Sequence, residues 1–247
     1  MIRVATFGDI HVGADSAGLV RPALQSLPDQ ADVLLIAGDL TKRGIPDEAR
    51  VLARELEGIS LPMVAVLGNH DHEDNHADEV VAVLRDAGVV MLEGDTTVID
   101  IGGTTLGVAG VKGFGGGFAG ACGSDFGERE MKAFVGHSKQ VAGDLEKALL
   151  TLDVDIKIAL MHYSPVEETL RGERLEIFPF LGSYFLAEAI DRGGAHLALH
   201  GHAHGGSEKG VTPGGVNVRN VAVPVINAAY RVYCLSPDEA GPADSSC

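Results

Sequence analysis

The sequence predicts an α/β protein with parallel strands, and three observations lead there. Short apolar runs recur at residues 2–7, 33–37, 63–67, 156–160 and 197–199. They are apolar throughout rather than alternating, which is the pattern of strands buried on both faces. Each is followed at once by a polar motif: Gly8-Asp9-Ile10-His11, Gly38-Asp39, Gly68-Asn69-His70-Asp71, Met161-His162 and Gly201-His202-Ala203-His204. A buried strand that releases Asp, Asn or His at its carboxyl end places those groups on the rim where open α/β sheets build their sites.

The elements follow in chain order. After the first motif, Asp15 or Ser16 can cap a helix carrying Leu19, Val20, Ala23, Leu24 and Leu27 and ending at Pro28. Pro46 suits the first turn of a second helix, whose Val51, Leu52 and Leu56 form one face and which ends near Gly58. A third spans 77–87 with Val80, Val81 and Leu84 inward and Gly88 as its stop. This βαβαβα order argues for parallel pairing. Residues 89–92, 96–101 and 104–109 then read as short strands with turns at Gly94-Asp95 and Gly102-Gly103. A glycine-rich loop at 110–120 precedes a long helix over 128–150. A helix at 184–191 separates the runs that lead to His162 and His202, and 216–223 and 230–235 complete the strands. Strands followed by helices in both halves suit two sheets packed face to face.

Composition narrows the function. The 247 residues are 45% hydrophobic and 22% charged, enough for one sizeable core. A formal charge of −16 without any Lys/Arg-rich run disfavours nucleic acid, whose binding leans on neutralised phosphates. Cys122, Cys234 and Cys247 show no paired spacing, so no thiolate metal site is supported. The chain starts directly with a strand and holds no run long enough to span a bilayer, so a cytoplasmic protein without a membrane partner is expected.

Asp9, His11, Asp39, Asn69, His162, His202 and His204 together offer imidazole, carboxylate and amide groups. Such donors favour Mn, Fe, Zn, Ni or Co. Seven ligands exceed what one tetrahedral ion uses, so two divalent or trivalent metal ions sharing one ligand is the economical reading.

The ordered series Asp-x-His, Gly-Asp, Gly-Asn-His-Asp, His and Gly-His-x-His resembles the calcineurin-like metallophosphoesterases. The segments from Lys112 to Phe118 and from Ile177 to Gly182 also resemble the bacterial Icc-related branch. The resemblance implies a four-layer αββα sandwich of two mixed sheets flanked by helices. Chain length predicts a single domain over 1–236, and the polar composition of 237–247 a flexible carboxyl-terminal tail. One metal would take Asp9, His11, Asp39 and His204, and the second would share Asp39 and take Asn69, His162 and His202. A metal-activated hydroxide would attack the phosphorus of a small-molecule or protein-borne phosphoester, either a monoester or a diester. His70 resembles the family's histidine at the leaving group, and Asp71 is its expected catalytic companion, orienting it. Arg43 and Lys112 are candidates for touching a distal part of the substrate. The competing readings are a nuclease of the same superfamily and a catalytically silent metal-binding interaction module.

Plainer roles fall to the remaining histidines. His72 and His76 read as loop or helix-start residues, His196 as the start of a strand, and His200 as a packed, hydrogen-bonded side chain; His137 has no functional support. The glycine-rich loop lacks the ending of a phosphate-binding loop and reads as a lid or an irregular connection.

Overall fold

A computed structural model describes residues 1–237. The tail expected at 237–247 lies outside the described residues from 238 onward. Among the described residues thirteen strands run in chain order: β1 Ile2–Phe7, β2 Val33–Ala37, β3 Met63–Val66, β4 Val89–Met91, β5 Asp95–Ile101, β6 Thr104–Val111, β7 Gly117–Phe118, β8 Ala121–Cys122, β9 Ile156–Met161, β10 Leu197–His200, β11 Lys209–Val211, β12 Asn217–Asn220 and β13 Arg231–Leu235. They form a five-stranded sheet, β13-β1-β2-β3-β4, and a six-stranded sheet, β11-β12-β10-β9-β6-β5, beside the small β7-β8 pair. In the first sheet β1 to β4 are parallel and β13 runs against β1. In the second, β12, β10, β9 and β6 are parallel, and the edges β11 and β5 are antiparallel.

The period-two geometry of strands sorts each apolar run onto two faces. Val33, Leu35 and Ala37 of β2 join Val64 and Val66 of β3 between the sheets, where they meet Leu106, Ile158, Leu160 and Leu199. Leu34 and Ile36, on the opposite face, pack under Leu52 and Leu56 of the helix Pro46–Leu56 and Leu84 of the helix Ala77–Asp86. On the far side of the second sheet, Ala159, Met161 and Ala198 face Leu145 and Leu149 of the helix Arg129–Thr151 and Ile190 of the helix Tyr184–Gly193. Three apolar layers separate helices, sheet, sheet and helices, which is the αββα sandwich.

One expected helix is different. Residues 15–28 form two single turns, Arg21–Leu24 and Leu27–Gln30, rather than one helix from Ser16. The Glu55 carboxylate accepts the amides of Gly18, Val20 and Arg21 at 2.7, 3.0 and 2.8 Å, so an outside acceptor fixes that backbone before a helix can start. Pro28 opens the second turn instead of ending the first helix. The strand expected at 216–223 also stops at Asn220, because Pro224 begins the short helix Val223–Ile226. β11 and the β7-β8 pair were not foreseen.

The glycine-rich loop is tied down. Gly116 and Gly117 donate to the carbonyls of Pro179 and Gly182, Ser138 donates to Gly115, and Phe118 is buried. It is an irregular, packed connection. The two sheets meet at the carboxyl end of β1, where Gly8 donates to Val221 and accepts from Val223.

Candidate metal centre

Every predicted ligand stands at the carboxyl end of a parallel strand: Asp9 and His11 after β1, Asp39 after β2, Asn69 after β3, His162 after β9, His202 and His204 after β10. Asp9, His11, Asp39 and His202 hold left-handed backbone, with φ of 58°, 46°, 49° and 70°. Non-glycine residues adopt that region at a cost of about 1–3 kcal/mol each and keep it where the surroundings enforce it. Here it turns consecutive side chains off the strand axis and into one spot. The preceding glycines make room. A Cβ at Gly68 would run into the Asp39 carboxylate, one at Gly201 into that of Asp9, and one at Gly38 would stand 2.6 Å from His162 Nδ1.

The result is two groups of donors joined through Asp39. Asp9, His11, Asp39 and His204 form one, and Asp39, His162 and His202 the other; each could hold a metal ion. Asp39 divides its oxygens between them. Oδ2 is 3.7 Å from His11 Nε2, and Oδ1 is 3.3 Å from His162 Nε2 while accepting the His70 amide at 2.9 Å. Asp9 accepts the His202 amide at 2.9 Å and lies 2.8 Å from His204 Nε2, whose ring nitrogen is 3.4 Å from that of His11. Asn69 joins the second group, its Oδ1 2.9 Å from His162 Nε2.

This donor set fits a cation. His162 donates from Nδ1 to the Ala37 carbonyl at 2.9 Å, so Nε2 is its basic nitrogen, and burial holds the ring's pKa well below the usual histidine range. That lone pair then faces Asn69 Oδ1 and Asp39 Oδ1, so three acceptors converge with no donor between them. His202 donates from Nε2 to Phe180 at 3.3 Å, which leaves Nδ1 basic, and burial lowers its pKa to about 3. Burial raises Asp9 to about 6, with the nearby Asp39 charge adding to it, and the hydrogen bond to Asp9 raises His204. Carboxylates crowded in a buried pocket are what a bound cation relieves.

His70 is half-buried beside the first group, its ring edge-on to His11 at 4.6 Å between centroids. Its Nδ1 donates to the Lys42 carbonyl at 3.0 Å. Asp71 does not orient it. The Asp71 carboxylate is fully buried and accepts from Leu40 N, Thr41 N, Thr41 Oγ1 and Gly68 N at 2.6–3.1 Å. It clips the loop after β2 to the loop after β3, because the 3₁₀ turn His70–His72 points neighbouring side chains apart. Burial lifts its pKa to about 6.

The two distal candidates part ways. The exposed Arg43 guanidinium lies 3.7 Å from Asp74 and, among the described residues, forms no ion pair with the clustered ligands. The Lys112 carbonyl accepts the amides of His162 and Tyr163, and its ammonium lies over the Tyr163 ring at 5.2 Å. Tyr163 was not foreseen as a site residue. Its ring is 4.4 Å from that of His202, and the signal for it was an aromatic residue directly following a ligand at a strand end. Glu173 was also missed; it accepts the Gly205 amide at 2.6 Å, next to His204. His200 is packed as expected, donating to Gly201 and bonded to Thr169 Oγ1 at 2.8 Å. No helix among the described residues is long and apolar enough to cross a membrane.

A family model described as calcineurin-like phosphoesterase matches residues 2–206. No curated protein matches the chain. Among solved structures, a phosphopantetheinyl hydrolase from Mycobacterium tuberculosis is similar at 17% identity and a TM-score of 0.67, over 96% of this chain and 97% of that one. TT1561 of Thermus thermophilus follows at 21% identity and a TM-score of 0.58, over 89% and 88%. GAP50, the anchor in the inner membrane complex of Plasmodium, is similar at 12% identity and a TM-score of 0.58, over 90% and 72%. At these identities the likeness concerns the fold.

Proposed function

The chain belongs to the calcineurin-like phosphoesterase family, and from that premise we propose that it is a dinuclear metal-dependent phosphohydrolase. The observation that carries this reading is the convergence of His11 and His162 on the two oxygens of Asp39, with Asn69 against His162. One ion would be held by Asp9, His11, Asp39 and His204, the other by Asp39, Asn69, His162 and His202. Bound there, the ions supply Lewis-acid polarisation of the phosphoryl group and activation of the attacking water.

The chain's own residues do the rest. Asp39 holds the two groups of ligands in register through a single side chain. The Ala37 and Phe180 carbonyls fix the tautomers of His162 and His202, and so choose which nitrogen faces the centre. His70, with Nδ1 engaged by Lys42, is left with Nε2 to pass a proton to the departing alkoxide. Asp71 positions the loops that carry Asp39 and His70 and touches no reacting atom.

The test is hydrolysis of p-nitrophenyl phosphate and bis(p-nitrophenyl) phosphate with added Mn, Fe, Zn, Ni or Co, comparing native chain with Asp39→Ala and His70→Ala. Phosphopantetheine esters belong in the panel because of the Mycobacterium tuberculosis neighbour. Metal-dependent turnover that Asp39→Ala abolishes supports the reading. A chain loaded with two ions that turns over none of these esters would instead be a metal-binding interaction module.

A further inference from the structure

Beside the metal centre lies a cleft of about 530 Å³ that the proposed chemistry leaves unassigned. It opens between the helices Ala77–Asp86 and Arg129–Thr151, one from each outer layer of the sandwich. Its floor is apolar, with Val81, Met91, Leu92 and Val141, and its polar wall carries His72, Lys112 and His137. Two links join it to the ligands. His72 closes the 3₁₀ turn that begins at His70, its amide donating to the Asn69 carbonyl. The Tyr163 ring neighbours both the Lys112 ammonium, at 5.2 Å, and the His202 ring, at 4.4 Å.

We propose that this cleft is the leaving-group subsite, and that it takes an ester whose alcohol has an apolar body ending in a second oxyanion. The inference rests on the phosphohydrolase reading and names its substrate class. Its ground is the unmet nitrogen on that wall. Among the described residues the Lys112 ammonium donates only to the Gly113 carbonyl at 3.4 Å, and lies over the Phe114 and Tyr163 rings at 5.3 and 5.2 Å. Among the described residues no carboxylate forms an ion pair with it, and the rings of His72 and His137 have no hydrogen-bond partner. His137 only packs edge-on against Phe114 at 4.6 Å. Two carboxylates also reach the cleft. Glu93 accepts the Lys112 amide at 3.1 and 3.3 Å, and Asp78 belongs to the first turn of its helix. Arg85 brings a further cation, although its guanidinium donates to the Met91 carbonyl at 3.1 Å. The Glu93 carboxylate attracts the part-buried Lys112 ammonium without reaching ion-pair distance, so an anion entering the cleft can still take a direct charged hydrogen bond from it.

The test is calorimetric binding to the manganese-loaded full chain. The probes are ω-carboxyalkylphosphonates of increasing length, their matched carboxamides, and bisphosphonates of the same lengths. Phosphonates are not hydrolysed, so the result is independent of turnover, and a failure here is distinguishable from failure of the phosphohydrolase reading. At the best length the carboxylate or bisphosphonate should bind about tenfold more tightly than the carboxamide, the worth of one charged hydrogen bond. Lys112→Met should erase that preference, and Val81→Trp, which fills the floor without removing a charge, should weaken all long probes alike. Preference for the carboxylate identifies a carboxylate terminus, and preference for the bisphosphonate a second phosphoryl. Equal affinities for acid and amide in the native chain at every length overturn the proposal. So does a preference that survives both substitutions.

Discussion

The two groups of ligands share Asp39 but occupy different surroundings. In the second, His162 is fully buried and His202 half-buried, and backbone carbonyls engage one nitrogen of each ring and leave the other basic. In the first, the side chain of His204 is 44% exposed, and it leans on a buried Asp9 with which it competes for a proton. The second group is therefore preorganised for a cation, whereas the first must give up a proton to take one. Burial decides the difference: it drives imidazoles to neutrality and carboxylates toward protonation.

Breaking the shared member should have the largest effect. Asp39→Ala is expected to remove both ions by elemental analysis and to lower kcat/KM by about a thousandfold or more. Breaking one group at a time sharpens the contrast. Gly201→Ala drives a methyl into Asp9, and Gly38→Ala drives one into His162 at a left-handed φ of 80°. Each variant should retain about half of the native metal content, lost from opposite groups, since a displaced ligand costs metal affinity. His70→Ala removes no ligand and keeps the amide that donates to Asp39; metal content should stay native while kcat falls by about a hundredfold.

Acidity should separate the groups without mutation. Asp9 and His204 both have raised pKa values, so they bind protons at higher pH than usual, whereas His202, lowered to about 3, stays unprotonated. As pH falls below about 6, proton competition should weaken the first group's hold on its ion before it weakens the second's. Equal loss from both, measured after dialysis across that range, would contradict the burial argument. The smallest effect is expected at Arg43, exposed and paired with Asp74. Arg43→Ala should change kcat/KM by no more than about twofold, as surface ion pairs contribute little.

Asp71 and His70 show where adjacency in sequence misleads. Read as a pair, they suggest a carboxylate orienting an imidazole. In the fold the carboxylate turns inward to four donors on two loops, and the Lys42 carbonyl takes the orienting role. Nothing local announces that choice, since the donors at Leu40 and Thr41 lie some thirty positions upstream. The residues 15–28 failed for the same reason. Their apolar spacing suits a helix, but Glu55, far along the chain, takes the amides that would have been its first turn. By contrast the helices at 46–56 and 77–86 were legible, because Pro46 and Gly88 act on their own backbone. The parallel strands were legible because a run such as Val33–Ala37 is apolar on both faces.

By itself the sequence determined the strands, the glycine-polar steps at their ends and the chemical nature of the ligands, because backbone propensity, hydrophobic run length and side-chain type act within a few residues. Tertiary structure alone decided which oxygen of Asp39 faces which histidine, which tautomers His162 and His202 adopt, and that Lys112 and Tyr163 stand beside them. Those are matters of burial and of partners contributed by β2, β9 and β10. Only the packing of the two sheets brings their ends together.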